Sequence, residues 1–465
     1  MTSPAALTSY RERIALALAD GSRFAGLYAN ADGTLVRTLL AAPDGTTRLE
    51  SVTCEQGVVP TIVDLTPAAG WDEREAHDLH GVRFGGHEPL RPLVNHDPAL
   101  ERWVPVHGDD VYQLAVGPIH AGIIESGHFR FHLVGDRILH LDAQLFHKHR
   151  GLERAAEGKT LEEGLAYVSR ACTACNVANG VAYASACEQA LGLVPGAELR
   201  RARTILLELE RIWNHLNDIA AICAGVSLAA GNNSFAALTE RARRLNAALT
   251  GHRFLFDTVQ LGRSELTLDA EQLDSTREEL ASINAAALRS WRELLFNTSF
   301  QDRLPEIGVV TALHAERLGA VGPAARAAGL AQDTRTHSPL LSYEGFAAVV
   351  PERAAGDVQA RFEQRALELW QSFAILDELL ERPLQAATSE AGGQKHPIGI
   401  GRVESPRGET ICIVERQGER IARLRLRTGS YANWPLVAYA ATDNLLPDFP
   451  LINKSFELCY ACVDR

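Results

Sequence analysis

Two Cys-x-x-Cys pairs, one in the first half of the chain and one close to its last residue, constrain the fold more than any other feature. The first pair is Cys172 and Cys175, and the second is Cys459 and Cys462. Paired cysteines in a chain without a secretory signal indicate metal ligands or redox groups rather than disulfides. Four thiolates form a soft site, of the kind that selects zinc, iron–sulfur clusters, or nickel and copper. If all four hold one centre, the fold must bring these distant segments together.

The first pair is predicted to lie within a helix. An apolar pattern of helical period covers Leu161–Leu191, with a capping-box spacing at Thr160 and Glu163 before it and Gly192 after it. Cysteines three positions apart then share one helical face. This placement fits poorly with a structural zinc site, whose ligands usually come from short loops. A redox dithiol is disfavoured because no thioredoxin-like βαβ pattern surrounds either pair.

The pattern along the chain predicts an α+β fold. Residues 1–108 combine a helical pattern with short β-type runs, which indicates a small α/β module. Residues 109–465 contain long amphipathic patterns such as Ala197–Ala224, and we expect a mainly helical domain with peripheral strands. Near the end, Glu409–Arg427 alternates as a β-hairpin does, with its turn at Gly418.

Composition and charge narrow the possible partners. The 465 residues include 46% hydrophobic and 22% charged side chains, enough to bury a large core. The net charge of −12 gives no reason to expect a phosphate-binding surface, and we therefore predict no nucleic-acid partner. No run of about 18 apolar residues and no secretory signal is present. We expect a cytoplasmic chain that reaches a membrane only through another subunit.

Both cysteine pairs belong to longer motifs that carry a family resemblance. The sequences Arg170-Ala-Cys172-Thr-Ala-Cys175 and Glu457-Leu-Cys459-Tyr-Ala-Cys462-Val-Asp-Arg465 resemble the two metal-binding motifs of NiFe hydrogenase large subunits. The segment Trp71–Arg91, with Glu73-Arg74-Glu75 and Gly86-His87, resembles the 30 kDa subunit of respiratory complex I. Together they are typical of the energy-converting hydrogenases (group 4) of the formate hydrogenlyase type, which are related to complex I. The sequence departs from the family pattern at Thr173, Asn179, Asn214, Glu457 and Leu458.

The resemblance implies a nickel–iron centre held by Cys172, Cys175, Cys459 and Cys462. All four would bind nickel, and Cys175 and Cys462 would also bridge to an iron that carries CO and cyanide ligands. Thiolates are strong donors that stabilise oxidised nickel, and a terminal thiolate such as that of Cys459 can accept a proton beside the metal. The other cysteines match no part of the motifs and are expected to be buried small apolar residues; they are Cys54, Cys187, Cys223 and Cys412.

Glu125 is the candidate proton relay. The segment Gly117–Arg130 resembles the family's first motif and contains Glu125 on a predicted strand edge. The resemblance implies that this glutamate passes protons to and from a terminal cysteine. A carboxyl group in a buried, apolar site has a raised pKa, which suits proton transfer. The alternative is an ion pair between Glu125 and Arg130.

The run Glu404-Ser-Pro406-Arg407-Gly408-Glu409 matches the family's Pro-Arg-Gly element. By the resemblance, Arg407 lies over the open face of the metals, where it can polarise bound hydrogen and donate a hydrogen bond to cyanide. Pro406 would pack against the diatomic ligands of the iron. The alternative is a surface turn with an Arg–Glu pair.

A second metal near the C-terminus, magnesium or iron, is left open by the sequence. Arg150-Gly-Leu-Glu153 matches a family motif in which the glutamate supports such a metal. Arg465 stands where many members have histidine, and a basic residue there could pair with Glu153 directly and leave no metal. The family's precursor is often cleaved at this point after metal insertion, so we expect either the mature form or a gene that ends here.

The activity implied by the resemblance is the interconversion of protons plus electrons with H2. Electrons would come from a small hydrogenase subunit with a 4Fe–4S cluster, because no further set of cluster-binding cysteines is present in the sequence. Membrane subunits would translocate ions, maturation proteins would load the metals, and the complex would lie on the inner face of the cytoplasmic membrane. Two alternatives stay open: a complex I-type quinone-site subunit on the same fold, and a subunit that holds structural zinc in an electron-transfer complex. Metal content separates the three.

Overall fold

The structure, a computed structural model, describes residues 4–97, 99–100, 103–121 and 124–465. Its N-terminal part is a small α/β module. In chain order the module contains α1 (Pro4–Ala19), β1 (Arg23–Ala29), β2 (Leu35–Ala41), β3 (Thr47–Thr53), β4 (Val58–Pro60), α2 (Gly70–His80) and β5 (Arg83–Gly85). Strands β1, β2 and β3 form an antiparallel sheet, and β4 pairs with β5 in parallel. Tyr10, Phe24, Val36 and Phe84 belong to its own hydrophobic core.

Helix α2 has buried acidic residues on two faces, one toward the interior of the module and one toward the rest of the chain. Glu73 accepts hydrogen bonds from the Thr61 hydroxyl at 2.7 Å and from the N–H of Ile62 at 2.8 Å, which closes the module around the helix. Asp72 and Glu75 face the rest of the chain instead. Acidic side chains are favourable near the start of a helix because of its dipole.

The remainder of the chain is mainly helical, with strands at its periphery. Its strands are β6 (Tyr112–Val116), β7 (His128–Val134), β8 (Arg137–Gln144), β9 (Leu193–Pro195), β10 (Arg263–Ser264), β11 (Ala387–Ala391), β12 (Ile398–Ser405), β13 (Gly408–Gln417) and β14 (Arg420–Arg427). Its helices are α3 (Leu152–Ala156), α4 (Leu161–Ser169), α5 (Asn176–Leu191), α6 (Ala197–Gly225), α7 (Ala229–Thr250), α8 (Ala270–Leu295), α9 (Thr298–Gln301), α10 (Ala312–Arg317), α11 (Gly322–Ala327), α12 (Val358–Leu379), α13 (Gly429–Ala441), α14 (Phe449–Phe456) and α15 (Ala461–Asp464). The strands pair in three sheets, ordered β6–β7–β8, β10–β11–β9 and β12–β13–β14.

Helices α5 and α6 form the centre of this part, and both are almost wholly buried. Helix α5 packs closely against β12, where Gly399 and Gly401 face it. A Cβ atom at either glycine would clash with the backbone carbonyl oxygens of Ala186 and Ala182. Glycine is therefore required on this strand, because the helix backbone approaches too closely for any side chain.

The N-terminal module packs on the β12–β13–β14 sheet. Ala25, Tyr28 and Leu39 share a small hydrophobic cluster with Ile411 and Ile413. Ion pairs surround the cluster, among them Arg425–Asp72 at 3.0 Å and Arg425–Glu75 at 2.6 Å. Apolar contact supplies most of the attraction, and the paired charges fix the orientation of the two parts.

The predicted α+β fold is confirmed, with a small sheet-containing module followed by a helical part with peripheral strands. The predicted division near residue 108 stays a prediction. Alternation in the sequence predicts a strand over residues 123–134; residue 123 lies outside the described residues, and residues 128–134 form β7. In the part of the chain that the structure describes, every helix is too short or too polar to cross a lipid bilayer.

Candidate metal centre

The two cysteine pairs meet in one cluster. The sulfur atoms of Cys172, Cys175, Cys459 and Cys462 all lie within 4.8 Å of one another. Cys459 is partly exposed, and the other three are buried. Ala174 and Ala461 pack around the sulfurs. Four thiols at this spacing are able to bind one compact metal centre.

The first pair does not lie within a helix, and that prediction was wrong. Helix α4 ends at Ser169 and α5 begins at Asn176, and both cysteines occupy the turn between them. Cys175 is the N-cap residue of α5, and its side chain makes no capping hydrogen bond. Zinc-binding pairs usually lie on turns and short loops, so the position of this pair does not disfavour zinc.

A buried carboxyl group from α6 binds the start of α5. The two carboxyl oxygens of Glu210 accept hydrogen bonds from the N–H groups of Val177 at 2.6 Å and Ala178 at 3.1 Å. Burial raises the pKa of Glu210 to about 8, although the two N–H groups oppose the shift. One turn further along α6, Asn214 donates to the carbonyl oxygen of Ala174 at 2.8 Å. Helix α6 therefore holds the turn that carries the first pair.

The second pair lies on the short segment between α14 and α15. Glu457 ends α14 in the left-handed backbone region, with a φ of 48°. Arg365 of α12 donates to the carbonyl oxygen of Phe456 at 2.6 Å. The N–H of Cys459 donates to the Ser430 hydroxyl oxygen at 3.0 Å. Helices α12 and α13 thus fix the backbone on both sides of Glu457.

Pro406 and Arg407 form the two-residue turn that joins β12 to β13, and both are buried. Arg407 is only 4% exposed, which does not fit the alternative of a surface turn. Its guanidinium donates to Asn214 Oδ1 at 2.6 Å and to Asp218 Oδ1 at 2.9 Å, and its Nε donates to the carbonyl oxygen of Glu457 at 2.9 Å. Three hydrogen bonds in different directions leave this side chain a single orientation.

Glu210, Asn214 and Asp218 stand at four-residue steps along one face of α6. The first holds the start of α5, the second joins that turn to Arg407, and the third binds Arg407 together with Arg365. Positions four apart share a helical face. One rigid helix face therefore positions both cysteine pairs relative to Arg407.

The electrostatics of the cluster favour negative charge at Cys459. Hydrogen bonds from the thiols of Cys172, Cys175 and Cys462 lower the pKa of Cys459 well below its ordinary value, and the nearby charge of Arg407 adds to this effect. Burial acts to lower the pKa of Arg407, but Asp218 and the cysteines outweigh it, so the pKa is raised. The guanidinium thus stays charged beside the sulfurs.

Glu125 lies at the rim of the cluster and is exposed, which corrects the expectation of a buried site. Its carboxylate accepts a hydrogen bond at 2.9 Å from the N–H of Ala461, which stands between the two cysteines of the second pair. Partial desolvation by the neighbouring residues and the nearby Cys459 raise the pKa of Glu125, and the Ala461 N–H opposes the shift. Arg130 donates to Gln113 instead of pairing with Glu125.

The surroundings of Glu153 do not fit a divalent cation. Its Oε1 atom lies 3.2 Å from Nη1 of Arg465 and 3.6 Å from Nη1 of Arg425, and it also accepts a hydrogen bond from the N–H of Leu426 at 2.9 Å. Magnesium requires several oxygen ligands in octahedral geometry. Here guanidinium groups already supply the positive charge, so no role is derived for a metal at this position.

Glu210 was not predicted to belong to the site, and Asn214 was noted only as a departure from the family pattern. A signal for both was present, because Glu210, Asn214 and Asp218 form a polar line of helical period within the largely apolar pattern of Ala197–Ala224. A polar line on an otherwise buried helix indicates groups that are paired inside the protein.

Two family descriptions match this chain. The family of the respiratory-chain NADH dehydrogenase 49 kDa subunit matches residues 233–396 and 389–465, and that of the 30 kDa subunit matches residues 21–110. The chain belongs to the family of the 49 kDa subunit of respiratory-chain NADH dehydrogenase.

The chain is also similar to individual hydrogenase subunits. It is 28% identical to formate hydrogenlyase subunit 5 of Escherichia coli, over 87% of this chain and 77% of that protein. It is also 28% identical to the membrane-bound hydrogenase subunit alpha of Pyrococcus furiosus, over 79% of this chain and 88% of that protein. A chain of the membrane-bound sulfane sulfur reductase, an archaeal respiratory membrane complex, has the same fold with a TM-score of 0.71 at 25% identity, over 78% of this chain and 100% of that one. The predicted resemblance to energy-converting hydrogenase large subunits is confirmed.

Proposed function

We propose that this protein is the catalytic large subunit of a membrane-associated NiFe hydrogenase that interconverts protons plus electrons with H2. The observation that carries the proposal is the meeting of four cysteine sulfurs within 4.8 Å beside a buried arginine. Relatives named as hydrogenases, which match most of this chain, support it. The chain would act within an energy-converting complex of the formate hydrogenlyase type.

The donor set fits a nickel–iron centre. Cys172, Cys175, Cys459 and Cys462 would hold nickel, with Cys175 and Cys462 shared with an iron that carries CO and cyanide ligands. Cys459 is partly exposed, so one side of the cluster stays open, as a catalytic metal requires and a structural one does not. When bound, the centre supplies the site at which H2 is split or formed.

The residues around the sulfurs have separate roles in stabilising charge and in transferring protons. Arg407 presents a fixed positive charge where charge develops during the reaction, with Pro406 in the same turn fixing its backbone. Cys459, the partly exposed sulfur of the cluster, would accept the proton. Glu125, bonded to the backbone beside Cys459 and open to solvent, passes that proton outward.

An exposed apolar surface beside Glu125 supports a partner subunit at this rim. The exposed side chains are those of Tyr112, Leu114, Val116, Ile119 and Ile124. Exposed apolar patches of this kind mark protein–protein interfaces. We assign the surface to the small hydrogenase subunit with a 4Fe–4S cluster, which would place an electron carrier near the metals.

The remaining partners follow from the same assignment. Ion-translocating membrane subunits would attach the complex to the inner face of the cytoplasmic membrane. Maturation proteins would insert nickel, iron and the diatomic ligands. The complexes named for the relatives, a membrane-bound hydrogenase and an archaeal respiratory membrane complex, support a membrane location.

A structural zinc site is the second candidate, because the first cysteine pair lies on a turn, as zinc-binding pairs usually do. A structural zinc site does not require the buried Arg407 beside the sulfurs. A complex I-type quinone-site subunit is a third reading of the family description, and it gives the four clustered cysteines no role.

Elemental analysis and infrared spectroscopy of the purified complex, produced together with its maturation proteins, test the proposal. About one nickel per chain and intrinsic bands in the CO and cyanide stretching region are expected. Zinc as the only metal would establish the structural site. No metal and no bands would leave the quinone-site reading and overturn the hydrogenase assignment.

A further inference from the structure

Cys175 stands at a helix start that its own side chain does not cap. The first N–H groups of a helix have no partner within the helix and need an acceptor from elsewhere. A thiol is a weak acceptor, and the side chain of Cys175 makes no capping bond. The N–H groups of Val177 and Ala178, two and three residues further on, are bonded instead to Glu210.

Glu210 reaches this position from a different helix, and both of its carboxyl oxygens are used there. Glu210 is 1% exposed, so water has no access to these N–H groups as an alternative acceptor. The charged side chains that act on it are those of Arg211 and Arg407. Neither donates a hydrogen bond to Glu210. Arg211 donates to Glu208 and to the carbonyl oxygens of residues 404 and 405. Arg407 donates to Asn214, Asp218 and the carbonyl oxygen of Glu457.

We propose that Glu210 is the positioning residue of the first cysteine pair. From its place on α6 it caps the N-terminus of α5, and this fixes the Cys175 sulfur relative to the second pair. The proposal rests on the proposed function only for the identity of the metal. Glu210 accepts from the backbone N–H groups of Val177 and Ala178, and it acts on Cys175 through that backbone.

Groups that orient a metal ligand without touching the metal contribute strongly to affinity. Changing them typically weakens binding by about 10-fold to 100-fold. At Glu210 the effect should be graded. Glu210→Gln keeps one acceptor oxygen and loses the other, whereas Glu210→Ala loses both and leaves two buried N–H groups unpaired.

Cobalt(II) binding to the metal-free, full-length chain tests the proposal without requiring enzyme activity. Thiolate-to-cobalt charge-transfer absorption reports both the affinity and the tetrahedral geometry of a four-sulfur site. Glu188→Gln is the matched control. Glu188 is equally buried, lies near the other end of α5, and accepts from the N–H of Gly262 at 2.8 Å and from Arg203.

Glu210→Ala is expected to weaken cobalt binding at least about 10-fold and to distort the charge-transfer spectrum, with Glu210→Gln between it and the unchanged protein. Glu188→Gln should bind as the unchanged protein does. Equal affinity and spectra in both Glu210 variants would overturn the proposal, as would an equal loss in Glu188→Gln, which would indicate general destabilisation. If circular dichroism shows that Glu210→Ala does not fold, Glu210→Gln decides.

A failure of the proposed hydrogenase function can be distinguished from a failure of the positioning role of Glu210. A purified complex without nickel or CO and cyanide bands would remove the hydrogenase assignment and leave the cobalt result untouched. In a loaded complex, Glu210→Gln should shift the infrared bands, whereas Glu188→Gln should not. That pair of spectra connects the positioning role to the native metals.

Discussion

Arg465 and Glu75 form an ion pair across 390 positions of sequence. The Nη2 atom of Arg465 lies 2.7 Å from each carboxylate oxygen of Glu75, and both side chains are almost fully buried. The same guanidinium lies 3.2 Å from Glu153 and 4.7 Å from the ring centre of Tyr431. A single cation thus joins the N-terminal module to the segment that carries the second cysteine pair.

Replacing this cation should destabilise the protein strongly. Arg465→Ala removes a buried cation that Glu75 and Glu153 share. Both carboxylates keep only Arg425 nearby, and we expect the free energy of unfolding to fall by about 3 kcal/mol. Arg154→Ala is the control, because Arg154 is exposed and pairs only with Glu157, so its loss should stay within about 0.5 kcal/mol. Denaturant unfolding measures both. A large stabilisation of the unchanged protein by magnesium would contradict the view that Arg465 supplies the charge at Glu153.

Removing one sulfur should abolish metal binding. Cys462→Ser replaces a soft thiolate with a hydroxyl, and nickel and iron content are expected to fall by about 10-fold or more. Cys223→Ser is the control, because Cys223 is buried in α6 and is not one of the four clustered cysteines. Elemental analysis of the two purified variants gives the answer. Full metal content in Cys462→Ser would remove that cysteine from the ligand set.

Arg407→Lys should lower activity while the metals stay in place. A lysine keeps the charge but cannot bond Asn214, Asp218 and the Glu457 carbonyl in one fixed geometry. We expect H2 turnover to fall by about 100-fold, measured with an artificial electron donor. Arg203→Lys is the control, since Arg203 is also buried and pairs with Glu188 away from the cluster. Unchanged turnover in Arg407→Lys would exclude a role in the reaction.

Glu125→Gln should block proton transfer without affecting metal binding. An amide cannot pass a proton as a carboxyl group does, so turnover and H/D exchange are expected to fall by about 100-fold. Because the raised pKa of Glu125 governs one limb of the pH–rate profile, that limb should disappear in the variant. Metal content and infrared bands should match the unchanged protein. Normal exchange rates in Glu125→Gln would show that protons leave by another route.

Glu210 gives stability a pH dependence that its replacement should remove. The unfolded chain releases this proton near its ordinary pKa of 4.5, and the folded chain keeps it to about pH 8. Its contribution is therefore present below the lower value and is lost as the pH rises through the higher one. Relative to the unchanged protein, Glu210→Gln should gain roughly 3 kcal/mol of stability between about pH 5 and pH 8. Denaturant unfolding of the metal-free proteins at both pH values measures this difference, and a constant difference would contradict it.

The sequence identified residues with distinctive chemistry better than it identified local backbone structure. Both cysteine pairs and Arg407 were predicted from motifs, and the structure brings their side chains together. The helix predicted over Leu161–Leu191 is interrupted, because Glu210 and Asn214 hold a turn there. Periodicity reports the apolar face of a helix and does not detect a distant side chain that breaks it.

Exposure was equally hard to predict. The hairpin Glu409–Arg427 follows from local alternation and is confirmed as β13 and β14, whereas β6 was missed because its residues are all exposed. Glu125 was expected to be buried and is open to solvent beside that strand. A sequence pattern shows which residues are apolar but not which of them are buried. The apolar residues of β6 are exposed in this chain.

The separation of the two cysteine pairs sets the order of events during synthesis. The first pair is made early and remains an incomplete binding site while α6, α12 and the β12–β14 sheet form around it. Contacts between segments so far apart in sequence form late, because closing a long loop has a high entropic cost. A metal that needs all four cysteines therefore cannot be held until residues 457–465 have docked, and its retention reports that this docking has occurred.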